Sequence, residues 1–401
     1  MISWDALFSE RAKLIKGSAI RELLKLVNQP DIISLGGGMP DPRLFPVERI
    51  RECVNDVLTN NAPTALGYGT TEGVPALRAL LAEMSVDRGI RATAENVVVT
   101  ASSQQALDLI AKVMLDPGDI ALVEAPSYLG ALQAFSAFQG RCIAIDMDHD
   151  GIRIDILEDR LKALRQANKS IKFIYVVPSF QNPTGLTMSV ERRRQLLVIS
   201  EQYNIPIVED HPYHALRYQG ERVPSIASMD SNGHVVYMET FSKILSPGLR
   251  IGWVIGPEVF VRKLALAKQA TDLCTSPFTQ LIAYEFCKRG YMAEYVEVIR
   301  PEYKKKRDAM LEACAEFMPE GVKWTHPEGG MFLWVDCPKS IDTTAMLADS
   351  LAAKVAYVSG TSFYPDGRGE NSIRLNFSFN PPEINREGIR RLAGVIKRHL
   401  Q

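Results

Sequence analysis

The run Phe173-Ile174-Tyr175-Val176-Val177, followed at once by Pro178-Ser179-Phe180-Gln181-Asn182-Pro183-Thr184-Gly185, decides the fold. Apolar and aromatic residues without polar alternation predict a short strand buried on both faces, as in a parallel sheet covered by helices. The polar stretch with its prolines and glycine predicts a loop at the carboxyl end of that strand. Working outward, similar runs recur at Val97-Val98-Val99, Ile120-Ala121-Leu122-Val123, Ile205-Pro206-Ile207-Val208, Val235-Val236-Tyr237-Met238 and Trp253-Val254-Ile255. Helical stretches such as Gln104 to Met114 and Val190 to Tyr203 separate several of them. The alternation predicts an α/β chain on a mainly parallel sheet.

The ends of the chain read differently. Residues 10–29 predict an amphipathic helix that stops near Gln29-Pro30. Ile32-Ile33-Ser34-Leu35 then enters the turn Gly36-Gly37-Gly38-Met39-Pro40. Near residue 300 a long charged helix, Glu302 to Phe317, leads to a strand at Gly330-Met331-Phe332-Leu333-Trp334-Val335. The expected division is an N-terminal helix and segment (1–46) packing with a small C-terminal domain (301–401), around a large domain (47–300).

Composition narrows the function. The chain has 401 residues, 46% hydrophobic and 23% charged, with a formal net charge of -1. That is enough apolar material for a sizeable core, and no basic excess points to nucleic acid or a membrane surface. Lys304-Lys305-Lys306-Arg307 and Arg192-Arg193-Arg194 read as solvated helix faces. The six cysteines, Cys53, Cys142, Cys274, Cys287, Cys314 and Cys337, form no CxxC pair and read as reduced packing residues. Residues 1–17 lack the apolar centre of a signal peptide, and no apolar run approaches a membrane span, so a cytoplasmic location is expected. His211 and His214 have too few companions for a zinc site and read as structural, so no metal is expected.

In α/β sheets, ligands gather beyond the carboxyl ends of the strands. After Val97-Val98-Val99 stands Thr100-Ala101-Ser102-Ser103-Gln104-Gln105 at the start of a helix. Such a terminus can hold a phosphate through its backbone N–H groups; equally, Ser102 or Ser103 can be an ordinary helix cap. Three more polar clusters follow other strands: Gln181-Asn182-Pro183-Thr184-Gly185, Glu209-Asp210-His211-Pro212-Tyr213, and Glu239-Thr240-Phe241-Ser242-Lys243 with Pro247-Gly248-Leu249-Arg250. Four such clusters at four strand ends are unlikely to arise by chance.

In order and spacing, Asn182-Pro183-Thr184-Gly185, Asp210-His211-Pro212-Tyr213 and Ser242-Lys243 with Pro247-Gly248-Leu249-Arg250 resemble the fold-type I pyridoxal-phosphate aminotransferases of class I/II. The likeness runs over essentially the whole chain. Ile20-Arg21-Glu22-Leu23-Leu24-Lys25, Gly36 to Pro40 and Glu124-Ala125-Pro126-Ser127-Tyr128 are similar to the branch of 2-aminoadipate, kynurenine and aromatic aminotransferases. The resemblance implies a large domain with a mainly parallel seven-stranded sheet, a smaller α/β domain from the two ends of the chain, and a homodimer. It implies that Lys243 carries pyridoxal 5'-phosphate as a Schiff base and that Asp210 pairs with the ring nitrogen. Asn182 and Tyr213 would bond the ring's phenolic oxygen, and Tyr128 would stack on its face. Ser103, the backbone of Gln104, Thr240, Ser242 and Arg250 would hold the phosphate, with Tyr68 reaching it from the other subunit. Arg374, in Ile373-Arg374-Leu375-Asn376-Phe377, would take the substrate α-carboxylate by a bidentate fork, near Gly38 and Asn182.

Two positions depart from the family's commoner pattern. Ser102 stands where glycine is usual, and Thr240 where serine is usual; both residues stay small. The implied reaction is ping-pong transfer of an amino group from glutamate, 2-aminoadipate or an aromatic amino acid to a 2-oxo acid such as 2-oxoglutarate. Arg21 would meet an acidic side chain, unless it only pairs with Glu22 or its neighbours on the helix surface. Lyases and synthases on the same fold share these cofactor residues. An aminotransferase-like sensor would need a DNA-reading segment, for which no room is expected before the Arg21 helix.

Overall fold

The computed structural model describes residues 2–14, 17 and 31–401. Of the expected N-terminal helix, Glu10–Leu14 is helical; most of the remainder, including Arg21, lies outside the described residues.

Ile33–Ser34 forms β1. The large sheet then takes β2 (Val97–Thr100), β3 (Ile120–Ala125), β4 (Arg141–Asp148), β5 (Gly151–Ile152), β6 (Ile171–Val176), β7 (Ile207–Asp210), β8 (Val235–Thr240) and β9 (Gly252–Ile255). Their spatial order is β2-β9-β8-β7-β6-β3-β4-β5. From β8 through β7, β6 and β3 to β4 every pairing is parallel. β9 runs antiparallel to both its neighbours, so β2 keeps the common direction. The eighth strand, beyond the seven expected, is the two-residue β5, which hairpins onto β4. Val97, Val98, Val99, Ile174, Tyr175, Val208, Met238 and Val254 are fully shielded, as strands with helices on both faces require.

A second apolar cluster joins Leu35, Met310, Cys314, Leu333, Val335, Ile373, Leu375, Ile389 and Leu392. It is built on β10 (Lys323–Trp324), β11 (Phe332–Asp336), β13 (Val358–Ser359) and β14 (Ser372–Asn376), in the antiparallel order β10-β11-β14-β13. β1 pairs in parallel with β12 (Val355–Ala356). Asn376 donates its N–H to Leu35 O at 2.7 Å, which lays the glycine-rich segment along β14.

The expected helix Glu302 to Phe317 starts earlier, spanning Tyr291–Phe317 with Pro301 inside it. Proline suits the first turn of a helix and removes a hydrogen bond within one. Here the interior position is held by packing. Met292, Tyr295, Ile299 and Tyr303 bury into the large-sheet core, and Met310, Ala313 and Cys314 into the second.

Candidate active site

The carboxyl ends of β2, β3, β6, β7 and β8 open on one cleft of about 260 Å³. Ser103, Gln104, Tyr128, Asn182, Asp210, Tyr213, Thr240, Ser242, Lys243 and Arg250 all line it. Of the residues singled out as cofactor contacts, Tyr68 alone is elsewhere: it is 90% exposed on the surface of its own chain. Gly38 meets the site through its carbonyl, which accepts from Lys243 Nζ at 2.8 Å.

At the β2 turn neither serine caps the helix that follows. The helix runs Ser102–Met114 with Ala101 as its N-cap and no capping side chain. Ser102 Oγ lies 3.3 Å from Ser242 Oγ, and the buried Ser103 Oγ has no partner among the described residues. Neither serine is a cap, so an unsatisfied helix terminus and a free hydroxyl face the cleft. Ser102 also sits at φ 72°, in the left-handed region that glycine adopts without cost.

Lys243 and Arg250 come from the link between β8 and its antiparallel neighbour β9. Burial first, and then the Arg374 and Arg250 charges, push the Lys243 amine down to about 8. Asp210 ends β7, fully enclosed, and burial lifts its carboxyl to about 7 against the Tyr175 hydrogen bond that lowers it. Its Oδ1 has no partner among the described residues. The Thr240 hydroxyl donates to Ile251 O at 2.9 Å and lies 2.8 Å from Ser242 Oγ, bracing the turn from below.

Arg374, on the central strand β14 between Trp334 and Val358, is 1% exposed. Its Nη1 donates to Asn182 Oδ1 at 3.0 Å and its Nη2 to Gly36 O at 2.6 Å. The guanidinium carbon lies over the Phe332 and Phe363 rings, 4.4 and 5.0 Å from their centroids. No carboxylate among the described residues pairs with it, and burial draws it down to about 10. A buried cation without a counter-charge is costly and suits an anionic ligand. Asn182 also donates to the Tyr213 hydroxyl at 3.4 Å, so one amide links Arg374 to Tyr213.

His211 and His214 point away from the cleft. Their rings stack at 5.1 Å, and His211 lies within hydrogen-bond reach of Ser179 and Tyr237. Sequence reasoning missed Phe332, Phe363 and Tyr175. The last carried a signal, because a phenol inside an apolar run needs a partner for its hydroxyl.

The donor set fits pyridoxal phosphate. A buried serine hydroxyl and a helix terminus can meet a phosphate, an open carboxylate oxygen can meet a ring nitrogen, and an amine lies beside them. Residues 30–392 match the aminotransferase class I and II family. The chain belongs to that family: it is a pyridoxal-phosphate-dependent aminotransferase. It is 49% identical to aromatic-amino-acid aminotransferase 1 of Thermococcus litoralis, over 100% of this chain and 96% of the relative. It is 39% identical to the 2-aminoadipate transaminase of Thermus thermophilus, over 99% of this chain and 98% of that one. Among solved structures, the Pyrococcus horikoshii kynurenine aminotransferase in complex with PMP superposes with a TM-score of 0.96 at 47% identity, covering 100% and 99% of the two chains. No described helix is long and apolar enough to cross a membrane.

Proposed function

We propose that this aminotransferase takes amino groups from glutamate, 2-aminoadipate and aromatic amino acids and passes them to a 2-oxo acid, chiefly 2-oxoglutarate, by a ping-pong route. The observation that carries the reading is Arg374, a buried guanidinium without a carboxylate partner among the described residues, bonded to Asn182 beside the Lys243 cleft. Its fork receives the α-carboxylate that all these substrates share. The names of the relatives support the aromatic and 2-aminoadipate donors.

When bound, the cofactor supplies an electron sink for the pair left at the substrate Cα on loss of its proton. Ser103, the Gln104 backbone, Thr240, Ser242 and Arg250 hold its phosphate, and Tyr68 of a second subunit completes that grip in a homodimer. Asp210 keeps a proton on its ring nitrogen. Asn182 and Tyr213 bond its phenolic oxygen, and Tyr128 covers its face. Lys243 Nζ would hold the cofactor, and its amine is placed to take the proton from the substrate Cα. Its depressed basicity keeps an appreciable neutral fraction near pH 8. Gly38 lets the segment over the site approach closely: a Cβ there would lie 3.1 Å from Phe332 Cζ.

Arg21 is proposed to meet the side-chain carboxylate of acidic substrates. The division into 1–46, 47–300 and 301–401, and a cytoplasmic location, belong to the same reading.

The test is an absorbance titration of the purified enzyme with single amino acids and no oxo acid. Conversion to the pyridoxamine form by glutamate, 2-aminoadipate and aromatic donors is expected. Release of ammonia or of a cleaved side chain instead would replace transfer by lyase chemistry. Arg21→Ala should lose the acidic donors and keep the aromatic ones; unchanged selectivity removes Arg21 from the site.

A further inference from the structure

Among the described residues, one hydrogen bond holds the Asp210 carboxylate. Tyr175 donates its hydroxyl to Asp210 Oδ2 at 2.9 Å. Tyr175 pairs with Val208 in the register of β6 and β7, so Asp210, two residues further along β7, faces the same side of the sheet. The phenol is fully buried. Phe135 meets its ring edge-on at 5.5 Å and 79°, and meets Phe173, on the same strand, at 5.0 Å. Packing thus fixes the ring, and with it the direction of the O–H. Among the described residues no other donor reaches Asp210, and its Oδ1 has no partner.

A carboxylate turns easily about its last torsion, whose energy wells are broad. Anchoring one oxygen removes that freedom and leaves the other in a set direction. A hydrogen bond to the charged form also favours that form, which matters where burial favours the neutral acid.

We propose that Tyr175 is a positioning residue of the transamination site: it orients Asp210 so that Oδ1 meets the cofactor's ring nitrogen, and keeps Asp210 anionic so that the proton stays on that nitrogen. The inference rests on the reading of Asp210 as the partner of that nitrogen. The proton is shared between nitrogen and Oδ1. Deleting the phenol O–H makes the carboxylate more basic and moves the proton toward oxygen, with none gained or lost overall.

Tyr175→Phe keeps the ring and its packing on Phe135 and removes only the donor. The readout is the nitrogen NMR resonance of holoenzyme loaded with cofactor labelled with ¹⁵N in the ring, beside kcat and KM. Expected is a shift toward the unprotonated position and a fall in kcat of roughly 10- to 100-fold, the factor carried by a lost hydrogen bond to a charged group, with KM changing less. Asp210→Asn separates the two levels of the argument. If it deprotonates the nitrogen while Tyr175→Phe keeps the wild-type resonance and kcat, the role of Tyr175 is overturned and that of Asp210 stands. If Asp210→Asn leaves the nitrogen protonated, the reading of Asp210 fails and takes the inference with it. Should Tyr175→Phe not fold, 3-fluorotyrosine at position 175 strengthens the donor and must move the resonance the opposite way; an unmoved line overturns the proposal.

Discussion

Arg374 Nη1 donates to Asn182 Oδ1 at 3.0 Å, so a strand of the small antiparallel sheet is bonded directly to the loop after β6. Two cores built from distant parts of the chain thereby meet at one amide. Phe332 and Phe363 pack on the guanidinium, and a planar fork cannot be replaced by a point charge. Arg374→Lys should therefore lower kcat/KM about 10²-fold for every amino acid donor, in line with truncating one member of a buried charged pair. The cofactor's absorbance should be unaltered. Rapid-mixing kinetics of the half-reaction measure this, and a lysine variant with wild-type kcat/KM would remove Arg374 from carboxylate recognition.

The turn after β2, proposed to hold the phosphate, is tight on one side and strained on the other. A Cβ on Gly252 would lie 2.7 Å from Ser102 C and 2.8 Å from Ser103 N, and backbone cannot yield as a flexible side chain can. Gly252→Ala should push the turn out of place and weaken cofactor binding by at least tenfold. Ser102, at φ 72°, pays the left-handed penalty of about 1 kcal/mol that glycine escapes. Ser102→Gly should raise the stability of the cofactor-free protein by about that amount. Apoprotein titrated with pyridoxal phosphate and urea unfolding check the pair. Full affinity in Gly252→Ala would show that the turn can move freely.

What the sequence revealed follows from range. The unbroken apolar strands and the loops behind them are local patterns, and ten residues chosen from those loops line a single cleft. β4 escaped because Arg141-Cys142-Ile143-Ala144-Ile145-Asp146-Met147-Asp148 mixes polar with apolar positions and is mostly half-buried, unlike its neighbours. Pro301 concealed the first turns of the Tyr291–Phe317 helix. Pairings such as Arg374 with Asn182 or Tyr175 with Asp210 join residues far apart in the chain. Only the fold makes them neighbours.

The Lys243 amine gives a pH signature. In the folded, cofactor-free chain it titrates near 8, against 10.5 for an ordinary lysine. Below pH 8 both folded and unfolded chains hold the proton, and the penalty of burying the ammonium is fully present. Between the two values the folded chain has released its proton and the unfolded chain has not, so stability rises with pH. Lys243→Met removes the penalty. The variant should exceed the wild type in stability at pH 7, and the gap should close as pH rises from 8 toward 10.5. Parallel urea titrations of the two apoproteins cancel all other titrating groups, and a gap independent of pH would deny that Lys243 is depressed.

Tyr68 tests whether the site is shared between subunits. It is 90% exposed and absent from the cleft of its own chain, which suits an aromatic used in trans and equally an idle surface ring. Two crippled variants tell these apart. Lys243→Ala should not turn over, and Tyr68→Ala should bind cofactor weakly while keeping its lysine. If the chain pairs as proposed and Tyr68 acts in trans, one site of a mixed dimer combines the intact Lys243 of one subunit with the intact Tyr68 of the other. Unfolding and refolding the two variants together should therefore restore a fraction of sites with wild-type cofactor affinity, seen as activity at cofactor concentrations too low for Tyr68→Ala alone. If Tyr68 acts in cis or not at all, every site with an intact Lys243 also carries the Tyr68→Ala change on its own chain. Mixing then gains nothing over the sum of the separate variants.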